Sequence, residues 1–293
     1  MEAVPILVEL EKRNSYEEVS AFMEECNRVA QERNIVVLPD ANIQYLIYKT
    51  VWKVASVNIE TSADYTAWFG SKLDLLLPSI SVQEINILPL DIDCNSQAAM
   101  VEGFGSAFDR LSEDQRVAIH ARIKSYLSDV KASSASTCYS EESSNMWIEN
   151  NYGQFKVYAT LQEFKDLNTN FSTEAALSAC TGTQIADFIA TSGGLRDEKT
   201  VVTVLENLDT TEEFRTFYTE INTLAPNDLR NSPQIEMIVQ DTFQTISVDF
   251  KSFTVEQWTQ WFQVILVNVL FAVNETEISY IPYPLPCNAF QEM

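Results

Sequence analysis

This chain repeats itself, and that constrains its fold more than any local motif. Residues Tyr65–Met100 and Trp258–Met293 align without a gap at an offset of 193 residues. Thr66, Trp68, Phe69, Leu73, Leu77, Glu84, Ile85, Pro89, Cys94, Asn95 and Met100 meet identical partners in the later stretch. Eleven of 36 positions agree, where about two would agree by chance. A second block repeats at an offset of 195: Glu17, Glu18, Phe22, Glu25, Asn27 and Ala30 meet Glu212, Glu213, Phe217, Glu220, Asn222 and Ala225. The change of offset places small insertions or deletions near residues 31–62. Each copy is one packing unit that buries its apolar side against its neighbours.

The unit reads as helical. Only seven glycines and nine prolines punctuate 293 residues, too few for the many turns of an all-β chain. Ser/Thr followed three residues later by Glu/Gln marks helix starts at Ser15–Glu18, Ser81–Glu84, Ser112–Gln115, Thr160–Glu163, Thr210–Glu213 and Thr254–Gln257. In that pattern hydroxyl and carboxylate or amide satisfy free backbone N–H groups reciprocally. Ser172 and Thr181 also open helices, Asn95 is expected to cap the helix after Cys94, and Gly193-Gly194 ends one. A helix over residues 62–77 carries Trp68 and Phe69 and stops at Pro78. Its aromatic residues are expected in the core, and binding hot spots are the alternative. The neighbouring helices are expected to bury Ile43, Leu46, Ile47, Val51 and Val54, and Val117, Ile119, Ile123 and Leu127. Residues 131–144 are Ser-rich and read as the longest exposed loop. The predicted organisation is an N-terminal segment 1–13, part A 14–100, part B 101–208 and a second, truncated part A 209–293. Short capped helices in this order describe an all-α solenoid. The second copy stops at Met293 where the first continues into a helix, so a section of a longer tandem array is expected.

Charge narrows the partners. The formal net charge is −23, with 42 acidic residues against 19 basic. Such a surface repels phosphate and anionic lipid, which disfavours nucleic acid and membrane surfaces. A well-solvated surface is the plainest explanation. The most apolar run, residues 261–273, is interrupted by Gln263 and Asn268 and is too short to span a bilayer, so no direct membrane insertion is expected. MEAVPILVELEKR does not read as a secretory signal. Secretion would need a signal outside this sequence.

Five cysteines occur, with no CxxC pair and a single histidine, so a zinc site is disfavoured. Cys94 recurs as Cys287, and Cys138 stands 44 residues beyond Cys94. A Cys94–Cys138 disulfide would staple the Ser-rich loop to the start of the following helix, with the partner of Cys287 beyond the end. The competing expectation is that all five are reduced in a cytosolic protein. Cys26 aligns with Ile221 and is expected to be a buried thiol. Cys180 is left open. Asn170-Phe-Ser and Asn274-Glu-Thr fit the N-glycosylation pattern.

No catalytic constellation assembles. His120 sits on a helix without a Ser–His–Asp arrangement. Asp91 and Asp93 could hold calcium weakly, but Pro284 and Pro286 replace them in the second copy. Gly103 and Gly105 lack the strand that a phosphate loop follows. Ser192 lacks the first glycine of a nucleophile elbow, where Ala190 stands. Glu17-Glu18 and Glu212-Glu213 are explained by helix starts, where acidic groups favour the dipole. No enzyme activity, cofactor or metal is expected.

Trp68-Phe69, Cys94-Asn95-Ser96, Phe108, the run Ile123–Leu127, Cys138-Tyr-Ser140 and Trp147 together resemble the repeat units of large extracellular proteins of the mesothelin, stereocilin and otoancorin family. The resemblance implies an armadillo-like, right-handed superhelical solenoid, secreted or surface-anchored, acting in adhesion or in attachment of an extracellular gel. The chain departs from that pattern in having no anchor, no recognisable processing site and only one and a half repeats. The expected function is an extracellular structural or adhesive module whose partners are proteins or further copies of the repeat, able to extend into a matrix or filament. A cytosolic solenoid adaptor that holds peptides is the alternative.

Overall fold

The computed structural model of the chain describes residues 8–10, 12–13, 15–35, 41–133, 138–139 and 142–283. Pro284, Pro286, Cys287 and Met293 lie outside the described residues, as do residues 134–137 and 140–141 of the Ser-rich stretch. Among the described residues the chain is helical throughout and forms no strand. In order the helices are α1 (Tyr16–Glu32), α2 (Ala41–Ala55), α3 (Ser62–Ala67), α4 (Val82–Asn86), α5 (Cys94–Ser106), α6 (Glu113–Ala132), α7 (Ser144–Tyr152) and α8 (Leu161–Leu167). They continue as α9 (Thr173–Ala176), α10 (Gly182–Ser192), α11 (Glu198–Leu205), α12 (Thr211–Leu224), α13 (Pro226–Arg230), α14 (Ile235–Ile246), α15 (Val255–Thr259) and α16 (Glu275–Ser279).

Two compact units form. The first comprises Met1–Glu142, Met146–Ala159 and Asp166–Asn170; the second comprises Ser143–Asn145, Thr160–Lys165 and Phe171–Met293. In the first, α5 packs on α3 and its continuation, and α4 packs on α6. In the second, α10 lies along α12, and α14 contacts both α12 and α16.

Capping sets most helix starts. Reciprocal boxes close at Ser81/Glu84, Ser112/Gln115, Thr181/Gln184, Thr210/Glu213 and Thr254/Gln257. Thr61/Asp64 and Asn274/Glu277 add two that the Ser/Thr–Glu/Gln pattern misses, because the first closes on Asp and the second opens on Asn. Ser15 accepts from the Glu18 N–H. Asp93, not Asn95, caps α5: its carboxylate accepts from the N–H groups of both Asn95 and Ser96. A carboxylate one residue before the helix reaches two free donors, whereas Asn95 already lies inside the first turn. Gly193 ends α10 at φ 69°, a left-handed conformation suited to glycine.

The expected continuous helix over residues 62–77 is not an α-helix throughout. After α3 the chain widens into a π-turn at Trp68–Lys72, and Leu77–Ser79 forms a 3-10 turn. The second copy does the same: α15 leads into a π-turn at Gln260–Ile265 and a 3-10 turn at Leu270–Ala272. Trp68, Phe69, Trp261 and Phe262 are all buried, as core positions rather than exposed hot spots. Leu46 and Val117, expected inside, are exposed; Tyr48 and Arg122 point inward on α2 and α6.

Candidate functional site

Two constructions stand out: a disulfide-centred polar cluster in the first unit, and a carbonyl lock found in both copies.

Cys94 and Cys138 are joined by a disulfide with a Cα–Cα distance of 5.5 Å. It ties the first residue of α5 to the turn that follows α6. Cys138 is buried, and the Asn151 amide donates to its carbonyl at 3.4 Å. Polar side chains of α6 hold the bent segment that leads to Cys94. Tyr126 donates its hydroxyl to the Ile92 carbonyl at 3.0 Å, and that hydroxyl lies 3.4 Å from Cys138 Sγ. Arg122 donates to Gln97 Oε1 at 2.6 Å and to the Pro89 carbonyl. Burial pulls the guanidinium down to about 10, against the opposing influence of the Tyr65 and Tyr126 phenols. Burial, followed by the charge of Asp93, pushes the Tyr126 phenol up to about 12. Tyr139 adopts φ 59°, a strained conformation for a bulky residue. Its hydroxyl donates to Asn95 Oδ1 at 2.8 Å, beside the disulfide. The groups of this cluster position backbone; none of these bonds pairs a nucleophile with a base.

The second construction is the repeat in its finest detail. Leu73 N–H donates to the Trp68 carbonyl five residues back, and Leu266 N–H to the Trp261 carbonyl. Further on, the amides of Leu76 and Leu77, and of Val269 and Leu270, go to the carbonyls of Leu73 and Leu266. The carbonyls at the end of each π-turn are met from the first helix of the copy. Asn27 donates to Ser71 O at 2.9 Å and Lys72 O at 3.2 Å; Asn222 donates to Ile265 O at 2.7 Å. Asn27 and Asn222 are aligned, as are Lys72 and Ile265. The signal for this lock was present in the sequence, an identical asparagine inside two helices where asparagine is a poor helix former, but its carbonyl target could not be read there.

The remaining sequence candidates separate. Asn170 is exposed in the first unit. Asn274 is exposed in the second, and its Oδ1 accepts from Thr276 N–H at 2.8 Å as the cap of α16. The aligned residue in the first copy, Ser81, does the same work for α4. His120 lies near the rings of Tyr152 and Tyr158. Asp93 is occupied as a cap, and among the described residues no three His, Cys, Asp or Glu side chains gather as metal ligands would. Gly103 lets α5 approach the π-turn: a Cβ there would fall 2.4 Å from the Phe69 carbonyl oxygen. Cys180 is a buried thiol. Cys26, expected to be buried, is only half-buried. Among the described residues no helix is long and apolar enough to cross a membrane.

The sequence repeats internally, and among the described residues the chain is all-helical with one disulfide. No protein-family model matches the sequence, and no curated protein or solved structure is significantly similar to it.

Proposed function

We propose that this chain is a non-catalytic repeat module of an extracellular structural or adhesive protein, folded as an armadillo-like superhelical solenoid and akin to the mesothelin, stereocilin and otoancorin proteins. The observation that carries the reading is the recurrence of the packing unit, with a π-turn after the Trp-Phe pair and an asparagine lock on its closing carbonyl in both copies. The polar side chains of that unit are spent on holding backbone, which is what a scaffold requires. Repeats joined head to tail extend without closing, and this supports a matrix or filament. The Cys94–Cys138 staple suits an oxidising compartment. A surface of net charge −23 suits a basic protein partner or a cation-rich matrix.

The test is the intact mass of the natural material, with cysteines labelled before and after reduction and with glycans removed. Cys94 and Cys138 are expected to take label only after reduction, with a glycan at Asn170 or Asn274. Complete labelling without reduction, on a chain that carries no glycan, would favour an adaptor in the cytosol and defeat this reading.

A further inference from the structure

The two copies differ in how much of their shared surface is covered. In the second unit α10 lies along α12, so closely that a Cβ at Gly182 would fall 2.1 Å from the Glu213 carbonyl oxygen and 2.4 Å from Thr216 Oγ1. Ile185, Ala186 and Ile189 of α10 are buried, and so are Phe217 and Ile221 of α12. The aligned residues of α1 are Glu18, Ala21, Phe22 and Cys26. Ala21 is exposed, and Phe22, Cys26 and Val29 are half-buried. The last three edge an apolar groove of about 270 Å³ that Met23 and Ile47 also line. Phe217 and Ile221 are thus core where their counterparts Phe22 and Cys26 are only half-buried, and among the described residues no helix lies along α1 as α10 lies along α12. The face can still receive such a helix: Phe22 is identical to Phe217, and Ala21 is smaller than Thr216, which leaves room for close approach.

We propose that this face of α1 is a docking surface for a helix of the α10 kind, one that opens on Thr-Gly and presents an Ile–Ala stripe, borne by a further part B. The occupant is specified by what covers the same face in the second unit. This rests on the reading of the chain as part of an array, and it names the join by which the array grows.

Cys26 reports on the join directly. A chain in which a copy of residues 101–209 is placed immediately ahead of Ser15 restores the native junction, since Asp209 precedes Thr210 in the same register. Alkylation of Cys26 by iodoacetamide, followed peptide by peptide by mass spectrometry, is compared between this chain and the parent. Burial raises the Cys26 thiol pKa, so the reaction is run above pH 8. The expected result is a slowing of at least about tenfold, limited by local opening. Ala21→Trp is expected to abolish that protection while leaving the parent's melting temperature unchanged, because Ala21 is exposed there. An unchanged Cys26 rate overturns the proposal, whether the added helices fold or not. So does protection that survives Ala21→Trp. Neither result bears on compartment or glycosylation, so the functional reading stands or falls separately.

Discussion

Asn27 and Asn222 lie inside helices, where their propensity costs a few tenths of a kcal/mol relative to alanine. Each repays this by reaching a carbonyl at the end of a π-turn. Asn222 also accepts from the Asn268 amide at 3.1 Å. Asn222→Asp keeps size and shape but removes the donor and sets a negative charge against a carbonyl. It is expected to cost about 1–3 kcal/mol, read by urea unfolding followed through Trp258 and Trp261 fluorescence. An Asp variant as stable as the parent would show the lock to be ornamental. Asn274 raises a different question, since a glycosylation pattern and a helix cap coincide on one residue. If capping explains it, Asn274→Ser should keep amide exchange at the start of α16 slow, with protection passing from the Thr276 N–H to the Glu277 N–H, because Ser81 accepts from the aligned Glu84 N–H in the first copy. Asn274→Ala should speed it several-fold.

At the scale of elements, the π-turn lets two adjacent rings turn inward. Neighbours on an α-helix point about 100° apart, yet Trp68 and Phe69 are both fully buried. Two glycines around this turn and a third that ends α10 give a graded test. Gly103→Ala drives a Cβ into the Phe69 backbone and is expected to cost about 1–3 kcal/mol. Gly193→Ala meets no neighbour but is strained at φ 69°, at about 1 kcal/mol. Gly70→Ala meets nothing within 4 Å and needs no left-handed backbone, so it is expected to be neutral or stabilising. A reversed order would sink this account of α5 packing. The staple acts at the same scale. It closes a loop spanning 44 residues, and its loss should cost up to about 4 kcal/mol. Hydrogen exchange should then quicken in α6 after reduction and stay unchanged in α12. Equal quickening in both would place the effect outside the staple.

Much of this element pattern was legible in the sequence because capping is local: a hydroxyl and a carboxylate three residues apart suffice to start a helix. The aligned Trp-Phe pairs likewise marked the core, and the spacing of Cys94 and Cys138 marked the staple. The π-turn was not legible, since of its residues only Trp68 and Phe69 recur in the second copy, and neither marks a change of helix type. Nor was the exposure of Cys26, because alignment with Ile221 conveys what a position can bury, not whether a neighbour is there to bury it. Ile278 makes the same point: it is 57% exposed where its aligned partner Ile85, on a helix packed against α6, is 0% exposed.

Over the whole molecule, stability against pH is set by carboxylates of two opposed kinds. The Ser96 backbone N–H, then the Ser96 hydroxyl and the Asn95 N–H, hold the Asp93 pKa below its ordinary value. The Thr61 hydroxyl and N–H do the same for Asp64, and the Thr200 hydroxyl and N–H for Asp197. For these groups the stabilisation is complete above the unfolded pKa of about 3.9 and is lost as pH falls through the lower folded values. Asp241 is the reverse. Burial, and then the charge of Asp209, raise its pKa, so the folded chain takes up that proton first and gains stability as pH falls through the folded value. Self-repulsion at a net charge of −23 also relaxes on acidification. The melting temperature is therefore expected to rise from pH 7.5 to about pH 5 and to fall below about pH 3.5. Asp241→Asn removes one of the groups responsible for the acid-side gain. It should raise the melting temperature at pH 7.5 and flatten the rise towards pH 5, as measured by calorimetry. A melting temperature that declines steadily from pH 7.5 would mean that the capped carboxylates outweigh both the buried Asp241 and the repulsion of the acidic surface.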